Sequence, residues 1–281
     1  MLLSITLECR GKGGISIKDE LIIFIHIPKT AGTTLRSILK KEYGPLMKPF
    51  YLDKEQPPDM KPLLACKKCI GGHIGYGIWM PYWNRSLLLE NPCSRPVSYI
   101  TMLRDPVERL ISLYNFLKII YLPIQEPASV IFNLTFEDFV ESNHYQADTQ
   151  TLYITGGSLD IDTAKHHLTR FRAVGITERF DESIFLMKRK FGWGDLHYQK
   201  LNITPNRPQK NQLTDSIIQR IQERNALDVE LYRFAKSLLE REIKSLDSQS
   251  GEELRQFLNR PVVKSKKFIP SHRLTNRQPG L

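Results

Sequence analysis

Cysteine is scarce in this chain, and its distribution argues against a disulfide framework. The four cysteines, Cys9, Cys66, Cys69 and Cys93, are irregularly spaced along 281 residues, whereas disulfide-stabilised domains carry many cysteines in a short chain. Cys66 and Cys69 form a single C-x-x-C pair, with no second pair and no paired histidine nearby. A structural zinc site or a redox dithiol is therefore disfavoured.

The chain also lacks a long apolar run. No window approaches the roughly 18 consecutive apolar residues that a membrane-spanning helix requires. The apolar opening Met1–Leu7 is short and is followed by Glu8 and Arg10, so we expect a soluble chain. The hydrophobic content of 41% is enough for one large core. We predict a single domain over residues 1–258, with its core at 21–246.

Acidic residues are too few to balance the basic ones. Lysine and arginine number 40 and aspartate and glutamate 30, for a formal net charge of +10. This excess favours an anionic partner such as a nucleotide, an acidic glycan, nucleic acid or a membrane surface. The segment 259–281 has six basic and no acidic residues. That composition predicts a solvated, disordered tail; the alternative is an electrostatic arm for a polyanionic acceptor.

Two segments of the chain follow the pattern of strand, tight turn and helix. Leu21–Ile27 is a β-branched apolar run, typical of a strand that is buried on both faces, and Thr33–Tyr43 then has apolar residues at helical spacing. Val97–Leu103 is a second such strand, followed by Asp105 as an N-cap and Pro106 as the first helical residue. Two such units predict an α/β protein with a parallel sheet and right-handed crossovers.

The rest of the chain gives weaker signals. Residues 45–69 are rich in proline and lysine and predict a loop over the edge of the sheet. Further predictions are helices at Leu134–Ser142, Asp181–Phe191 and Asp215–Leu246, a strand at Ala173–Ile176 and a loop at Gln199–Gln212.

The turn after the first predicted strand has the composition of an anion site. It consists of Lys29, Thr30, Ala31, Gly32, Thr33 and Thr34. Backbone N–H groups and the positive end of the helix dipole meet at such a turn and attract phosphate or sulfate. Gly32 permits close backbone approach, the threonines add hydroxyl donors, and Lys29 adds a point charge. The alternative is an ordinary turn whose threonines merely cap the helix.

A nucleotide triphosphatase loop does not fit the same turn. The Walker pattern G-x-x-x-x-G-K-[ST] places the lysine after the second glycine. Here Lys29 precedes Gly32, and the first glycine is absent. An ordinary nucleotide triphosphatase is therefore disfavoured.

Both strand-turn-helix units resemble segments of one known family. Ile27–Thr34 is similar to the 5′-phosphosulfate loop of Golgi-type carbohydrate sulfotransferases, especially the branch of heparan sulfate 2-O and 6-O and uronyl 2-O enzymes. Arg104–Tyr114 is similar to their 3′-phosphate segment, R-D-P-x-x-R followed by serine and an aromatic residue. Weaker matches over residues 21–240 include Gly175–Ser183, Tyr198–Pro208 and Asn225–Tyr232.

The resemblance implies a fold, a donor and an acceptor class. The fold is the sulfotransferase fold, a P-loop NTPase-like three-layer α/β/α arrangement around a central parallel sheet. The donor is 3′-phosphoadenosine 5′-phosphosulfate (PAPS), and the product is adenosine 3′,5′-bisphosphate. We expect an anionic, glycosaminoglycan-like carbohydrate as acceptor, with no metal and no nucleic acid partner.

The resemblance also implies particular contacts with the donor. They are Lys29, Thr30, Ala31, Gly32, Thr33, Thr34, Arg104 and Ser112, with Lys200 and Asn202 in a segment that closes over the nucleotide. The guanidinium of Arg104 can offer two parallel donors to phosphate oxygens, and Ser112 can add a hydroxyl. Arg109 either contacts the ligand or forms an ion pair with Asp105 or Glu108.

His73 is the candidate general base. It lies among four glycines in Gly71–Gly77 and is the only histidine between Lys29 and Arg104. A lone histidine is more often a surface or core residue, but the family has a catalytic histidine between its two nucleotide motifs. Imidazole has a suitable pKa to accept the proton of a sugar hydroxyl, while Lys29 would neutralise charge on the leaving oxygen.

Residues near Lys29 and His73 in the sequence have expected roles as well. His26, inside the first strand region, is expected to be structural. Trp79, Tyr82, Trp83 and Arg85 are candidate acceptor contacts, with plain packing as their alternative.

Two other functions stay open: a non-catalytic polyanion-binding protein and a P-loop small-molecule kinase. The family's usual luminal chain has an N-terminal anchor, so we expect Golgi residence only if an anchor is missing from this sequence, and a cytoplasmic enzyme if it is of bacterial type.

Overall fold

A five-stranded parallel sheet lies at the centre of the computed structural model, which describes residues 20–50, 59–81, 84–90, 95–121, 133–196, 198 and 210–260. The strands are β1 (Leu21–Ile25), β2 (Met47–Phe50), β3 (Cys69–Gly72), β4 (Trp79–Met80), β5 (Arg85–Ser86), β6 (Val97–Leu103) and β7 (Ala173–Ile176). The central order is β2-β3-β1-β6-β7, and β4 and β5 pair separately as a short antiparallel ladder. Because all five central strands are parallel, their carboxyl ends meet at one edge.

The helices that the structure describes connect and cover these strands. They are α1 (Gly32–Tyr43), α2 (Met60–Cys66), α3 (Leu87–Glu90), α4 (Pro106–Tyr121), α5 (Phe136–Glu141), α6 (Thr149–Thr155), α7 (Ile161–Arg170), α8 (Phe180–Phe191), α9 (Asp215–Arg224), α10 (Ala226–Lys244) and α11 (Ser248–Asn259).

Helices pack on both faces of the sheet because successive strand residues point to opposite sides. Phe24 and Met102 belong to a core cluster that also contains apolar residues of α1 and α8. Ile25 and Leu103 belong to a second cluster, which includes residues of α6, α7 and α10. Leu21 and Ile23, on that second face, pack with residues of α2. The predicted three-layer α/β/α arrangement around a parallel sheet is therefore confirmed.

The prediction of a loop over the sheet edge at residues 45–69 is wrong where the structure describes this segment, at 45–50 and 59–69. The segment contains β2 and α2, and β3 begins at its end. Pro49 in β2 argues against a strand unless the strand lies at an edge, and β2 is the edge strand. Half of β3 is glycine, which lowers strand propensity. Gly71 has a packing reason, since a Cβ there would lie 2.8 Å from the Cβ of Phe24.

The predicted helical region 215–246 is divided into α9 and α10. The break falls at Asn225, whose side-chain amide donates to the carbonyl oxygen of Ile221 and accepts from the N–H of Asp148. Helix α11 was not predicted, and Leu254 on it joins the main core. Of the predicted tail, 259–281, the structure describes Asn259, the last residue of α11, and Arg260, which donates to the carbonyl oxygen of Leu196. The rest lies outside the described residues, so the domain boundary stays a prediction.

The cysteine pair is split between two environments. Cys66 is exposed at the end of α2, whereas Cys69 is buried in β3, and both are free thiols. Burial raises the pKa of Cys69 to about 12, so this thiol stays protonated near neutral pH. Cys9 and Cys93 lie outside the described residues. Among the helices that the structure describes, none is both long and apolar enough to cross a membrane.

Candidate active site

The segments that follow β1, β3 and β6 meet at the carboxyl edge of the sheet. The guanidinium Nη1 of Arg104, directly after β6, donates to the carbonyl oxygen of Lys29 at 3.1 Å. The ring of His73, directly after β3, lies 4.7 Å from the ring of His26, measured between centroids. The sequence-predicted Lys29, Arg104 and His73 are thus brought to one edge of the sheet.

The loop after β1 has an unusual backbone. Lys29 and Ala31 both have positive φ, at 72° and 61°, a left-handed conformation that costs a residue with a Cβ about 1 kcal/mol or more. Thr30 between them is buried, and its hydroxyl donates back to the carbonyl oxygen of Ile27. Strained backbone of this kind clusters at ligand-binding sites.

The N-cap of the helix that follows this loop is an alanine rather than a threonine. Helix α1 begins at Gly32, and its N-cap residue is Ala31, which makes no side-chain cap hydrogen bond. No threonine therefore occupies the N-cap position of this helix. The first-turn N–H groups of a helix have no intrahelical partner, so this geometry suits a bound anion.

Gly32 is required by its neighbour beneath the loop. A Cβ at this position would lie 1.9 Å from Cδ2 and 2.2 Å from Nε2 of His26. His26 is itself buried and stacks on Phe24 with ring centroids 5.4 Å apart. His26 therefore supports the loop from below, which agrees with its predicted structural role.

Arg104 is held by several groups at the end of β6. Besides its bond to the loop, Nη2 donates to Oε2 of Glu108 at 3.2 Å, and Nε lies 3.8 Å from Oε1 of Glu178. Only 9% of Arg104 is exposed. Glu178 follows β7, so the guanidinium links the ends of three neighbouring strands.

The start of α4 is built as the sequence predicted. The Oδ1 atom of Asp105 accepts from the N–H groups of Val107 and Glu108, and Pro106 is the first helical residue. Ser112 lies buried two turns further along. This cap fixes the helix that carries Ser112 relative to Arg104.

Arg109 does not form the ion pair with Asp105 or Glu108 that was one of its two expected roles. Glu108 pairs with Arg104, and Asp105 pairs with Lys210 at 3.0 Å. Arg109 is only 1% exposed and lies in the core. Burial lowers its pKa, while the charge of Asp228 acts in the opposite direction. Contact with the ligand, the other role expected of Arg109, stays a prediction.

His73 lies in an environment that keeps its ring neutral. Burial is the largest cause and, with the positive charges of Arg36 and Lys29, lowers its pKa to about 4. The imidazole is therefore unprotonated near pH 7 and able to accept a proton. Sequence reasoning missed Arg36, although it lies one helical turn after Gly32 and therefore on the same face of α1.

Lys29 extends toward α4. Its Nζ atom lies 4.0 Å from the centroid of the Phe116 ring, a cation–π contact. Phe116 follows Ser112 by four residues, so both lie on one face of the helix. The four-residue spacing between Ser112 and Phe116 could have indicated from the sequence that Phe116 lies beside the site.

The other predicted contacts have different outcomes. Trp79 is buried, donates to Oδ1 of Asn84 and packs edge-on against Tyr153, so packing explains it. Arg85 lies in β5. The remaining predicted residues, Tyr82, Trp83, Lys200 and Asn202, lie outside the described residues.

Comparison with known proteins identifies the family. A family model described as "Sulfotransferase family" matches residues 15–235. The chain belongs to the sulfotransferase family. The match contains both the loop after β1 and the segment after β6, so the resemblance predicted from these motifs is confirmed.

Two curated relatives are heparan-sulfate 6-O-sulfotransferases. The chain is 24% identical to heparan-sulfate 6-O-sulfotransferase 3-B of Danio rerio over 78% of its length, and 24% identical to heparan-sulfate 6-O-sulfotransferase 3 of Mus musculus over 79%. The aligned regions cover 64% and 58% of these relatives. The chain therefore matches less than two thirds of either one.

Two solved sulfotransferase structures are also similar to this chain. One is mouse sulfotransferase SULT7A1 complexed with PAP, at 13% identity and a TM-score of 0.37, covering 85% of this chain and 82% of that one. The other is a sulfotransferase from Alicyclobacillus acidocaldarius, at 14% identity and a TM-score of 0.43, covering 78% and 95%. At these TM-scores the likeness supports no conclusion about the site.

Proposed function

We propose that the protein transfers a sulfuryl group from PAPS to a hydroxyl group of a carbohydrate. The observation that carries the proposal is the hydrogen bond between Arg104 and the backbone of Lys29. It joins two anion-binding features at one edge of the sheet, as a nucleotide with phosphate groups on both the 3′ and the 5′ positions of its ribose requires. Membership of the sulfotransferase family supports the same reaction.

The residues present fit this donor. The loop of Lys29–Thr34, with its left-handed residues and with Ala31 at the N-cap of the helix, suits the 5′-phosphosulfate. Arg104 and Ser112 suit the 3′-phosphate, because a guanidinium and a hydroxyl are both good phosphate donors. We propose these assignments for the two ends of the nucleotide, with Lys200 and Asn202 as further contacts.

His73 takes the acceptor's proton in the proposed mechanism. When bound, PAPS supplies the sulfuryl group: an oxygen–sulfur bond to the acceptor forms, and the sulfur–oxygen bond to the 5′-phosphate breaks. The neutral imidazole of His73 accepts the hydroxyl proton as the new bond forms. A negative donor beside the ring raises the pKa of His73 from about 4, which makes it a stronger base in the complex.

Lys29 acts on the opposite side of the reacting sulfur. Its ammonium group and the N–H groups of the loop neutralise negative charge on the leaving oxygen, an electrostatic role like that of an oxyanion hole. We propose that these groups supply the positive charge of the site and that the reaction requires no metal ion.

An acidic glycan is the proposed acceptor class. The net charge of +10 favours a polyanion, and Arg36 places a cation beside His73, where the acceptor hydroxyl must lie. The printed names of the curated relatives refer to heparan sulfate. A glycosaminoglycan with carboxylate or sulfate groups therefore suits this site better than a neutral sugar.

A transfer assay tests the proposal. The protein is incubated with radiolabelled PAPS and heparan-type glycans, and the label in the glycan is counted. We expect transfer by the wild type and a loss of roughly 100-fold or more in His73→Ala and Lys29→Ala. The exposed residues His166 and Lys40 provide matched controls, and their alanine variants should transfer normally.

Two outcomes would contradict this proposal. Transfer by His73→Ala at the wild-type rate would show that His73 is not the general base. A folded wild-type protein that binds the glycan but transfers no label to any acceptor would instead be a polyanion-binding protein, driven by its charge.

A further inference from the structure

The backbone of Arg104 lies just beyond the last paired residues of β6 and β7. The pairing between β6 and β7 ends with Leu103 opposite Ile176. Arg104 is the next residue, yet only 9% of it is exposed. The N–H and C=O of a buried residue at a strand end need hydrogen-bond partners from elsewhere in the protein.

A single side chain supplies both partners. The Oε1 atom of Gln150, near the start of α6, accepts from the N–H of Arg104 at 2.9 Å. The Nε2 atom of the same side chain donates to the carbonyl oxygen of Arg104, also at 2.9 Å. Gln150 is completely buried. Its amide thus makes the two backbone hydrogen bonds that a neighbouring strand would otherwise make to Arg104.

Gln150 is in turn fixed by a carboxylate from α10. Asp228 is fully buried and accepts from the N–H of Gln150 at 3.0 Å. It also accepts from the N–H and the hydroxyl of Thr151, at 2.8 and 2.9 Å. The carboxylate lies at the N-terminal turn of α6, where negative charge is stabilised. A buried chain of hydrogen bonds therefore runs from α10 through α6 to the end of β6.

This arrangement does more than fill space. Burying a polar side chain costs free energy unless every group is paired, and an apolar side chain would pack more simply. Of the common side chains of this size, only an uncharged amide offers a donor and an acceptor to the C=O and the N–H of one residue. These two bonds hold the peptide groups on both sides of the Arg104 Cα, and the guanidinium extends from that Cα to the loop of Lys29. A displaced backbone at Arg104 would therefore displace the guanidinium.

We propose that Gln150 is a positioning residue, whose buried amide fixes the backbone of Arg104 so that its guanidinium is aligned with the 3′-phosphate of the donor. The inference rests on the proposed function and adds a residue to it. Misplacement of a binding group by about 1 Å is enough to lose most of its contribution.

Nucleotide selectivity tests this role. The full chain is titrated by calorimetry with adenosine 3′,5′-bisphosphate and with adenosine 5′-monophosphate, which lacks the 3′-phosphate. Gln150→Met removes both hydrogen bonds at similar size. We expect it to bind the bisphosphate about tenfold more weakly, a typical effect of losing such bonds, and to bind the monophosphate as the wild type does. In turnover, KM for PAPS should rise more than kcat falls.

Thr151→Val is the matched control. It removes a hydrogen bond to Asp228 in the same buried network, but Thr151 does not bond to Arg104. Its stability should fall while its selectivity between the two nucleotides stays unchanged. If Gln150→Met does not fold, Gln150→Asn replaces it, because Asn keeps an uncharged amide in the buried network but is one methylene shorter and so weakens the pair of bonds to Arg104.

The outcomes separate the two proposals. An unchanged preference for the bisphosphate in the folded Gln150 variant, or an equal loss for both nucleotides, would overturn the positioning role and leave the proposed function intact. A wild-type protein that does not prefer the bisphosphate would overturn the assignment of Arg104 itself.

Discussion

The neutral state of His73 makes the protein less stable in mild acid. Its pKa is about 4 in the folded chain, against an ordinary value of 6.5. The unfolded chain therefore binds more protons between these values, and stability falls as the pH decreases from about 6.5 toward 4. At pH 4.5 the cost attributable to His73 is about 2 kcal/mol, from 1.36 kcal/mol per pKa unit over most of this interval.

Urea unfolding at pH 7 and pH 4.5 measures this effect. The wild type should lose about 2 kcal/mol more between the two conditions than His73→Gln, which cannot gain the proton. His26 has a pKa that is also lowered by burial, so the variant keeps part of the loss. An identical loss in the two proteins would refute the reasoning, because His73 would then be protonated in the folded state as readily as in the unfolded one.

Two further substitutions test the environment of the site. Arg36→Gln removes a positive charge that disfavours the imidazolium form, so the pKa of His73 should rise, which NMR titration of the ring signals measures; an unchanged or lower value would exclude Arg36 as a neighbour. Gly32→Ala forces a Cβ against the His26 ring and should lower the free energy of unfolding by about 1–3 kcal/mol. Gly194→Ala, whose Cβ meets open space, is the control for that measurement, and equal stabilities of the two variants would contradict the packing argument.

Buried strands were the most predictable part of the fold. Val97–Leu103 and Ala173–Ile176 have the bounds that their apolar runs predicted. The strands at Met47–Phe50 and Cys69–Gly72 were missed because proline and glycine dominate their local preferences. The pairing of these strands depends on the neighbouring strands rather than on local sequence preference. Pro49 is tolerated because β2 lies at the edge of the sheet.

The candidate site was predictable where its residues follow strands. Lys29 and Arg104 each come directly after a strand region, and parallel strands bring such positions together. Gln150 was not predictable, because it lies 46 residues from Arg104 and on a helix that the sequence pattern did not indicate. Lys200 and Asn202 remain predictions.

Binding of adenosine 3′,5′-bisphosphate is the most direct test of the account. Isothermal titration of the folded wild-type protein should give one site per chain, with weaker binding in Lys29→Ala and in Arg104→Ala, because each removes a cation from a different end of the nucleotide. A titration that produces no heat of binding, or variants that bind as tightly as the wild type, would contradict the assignment of these two strand ends to a single nucleotide.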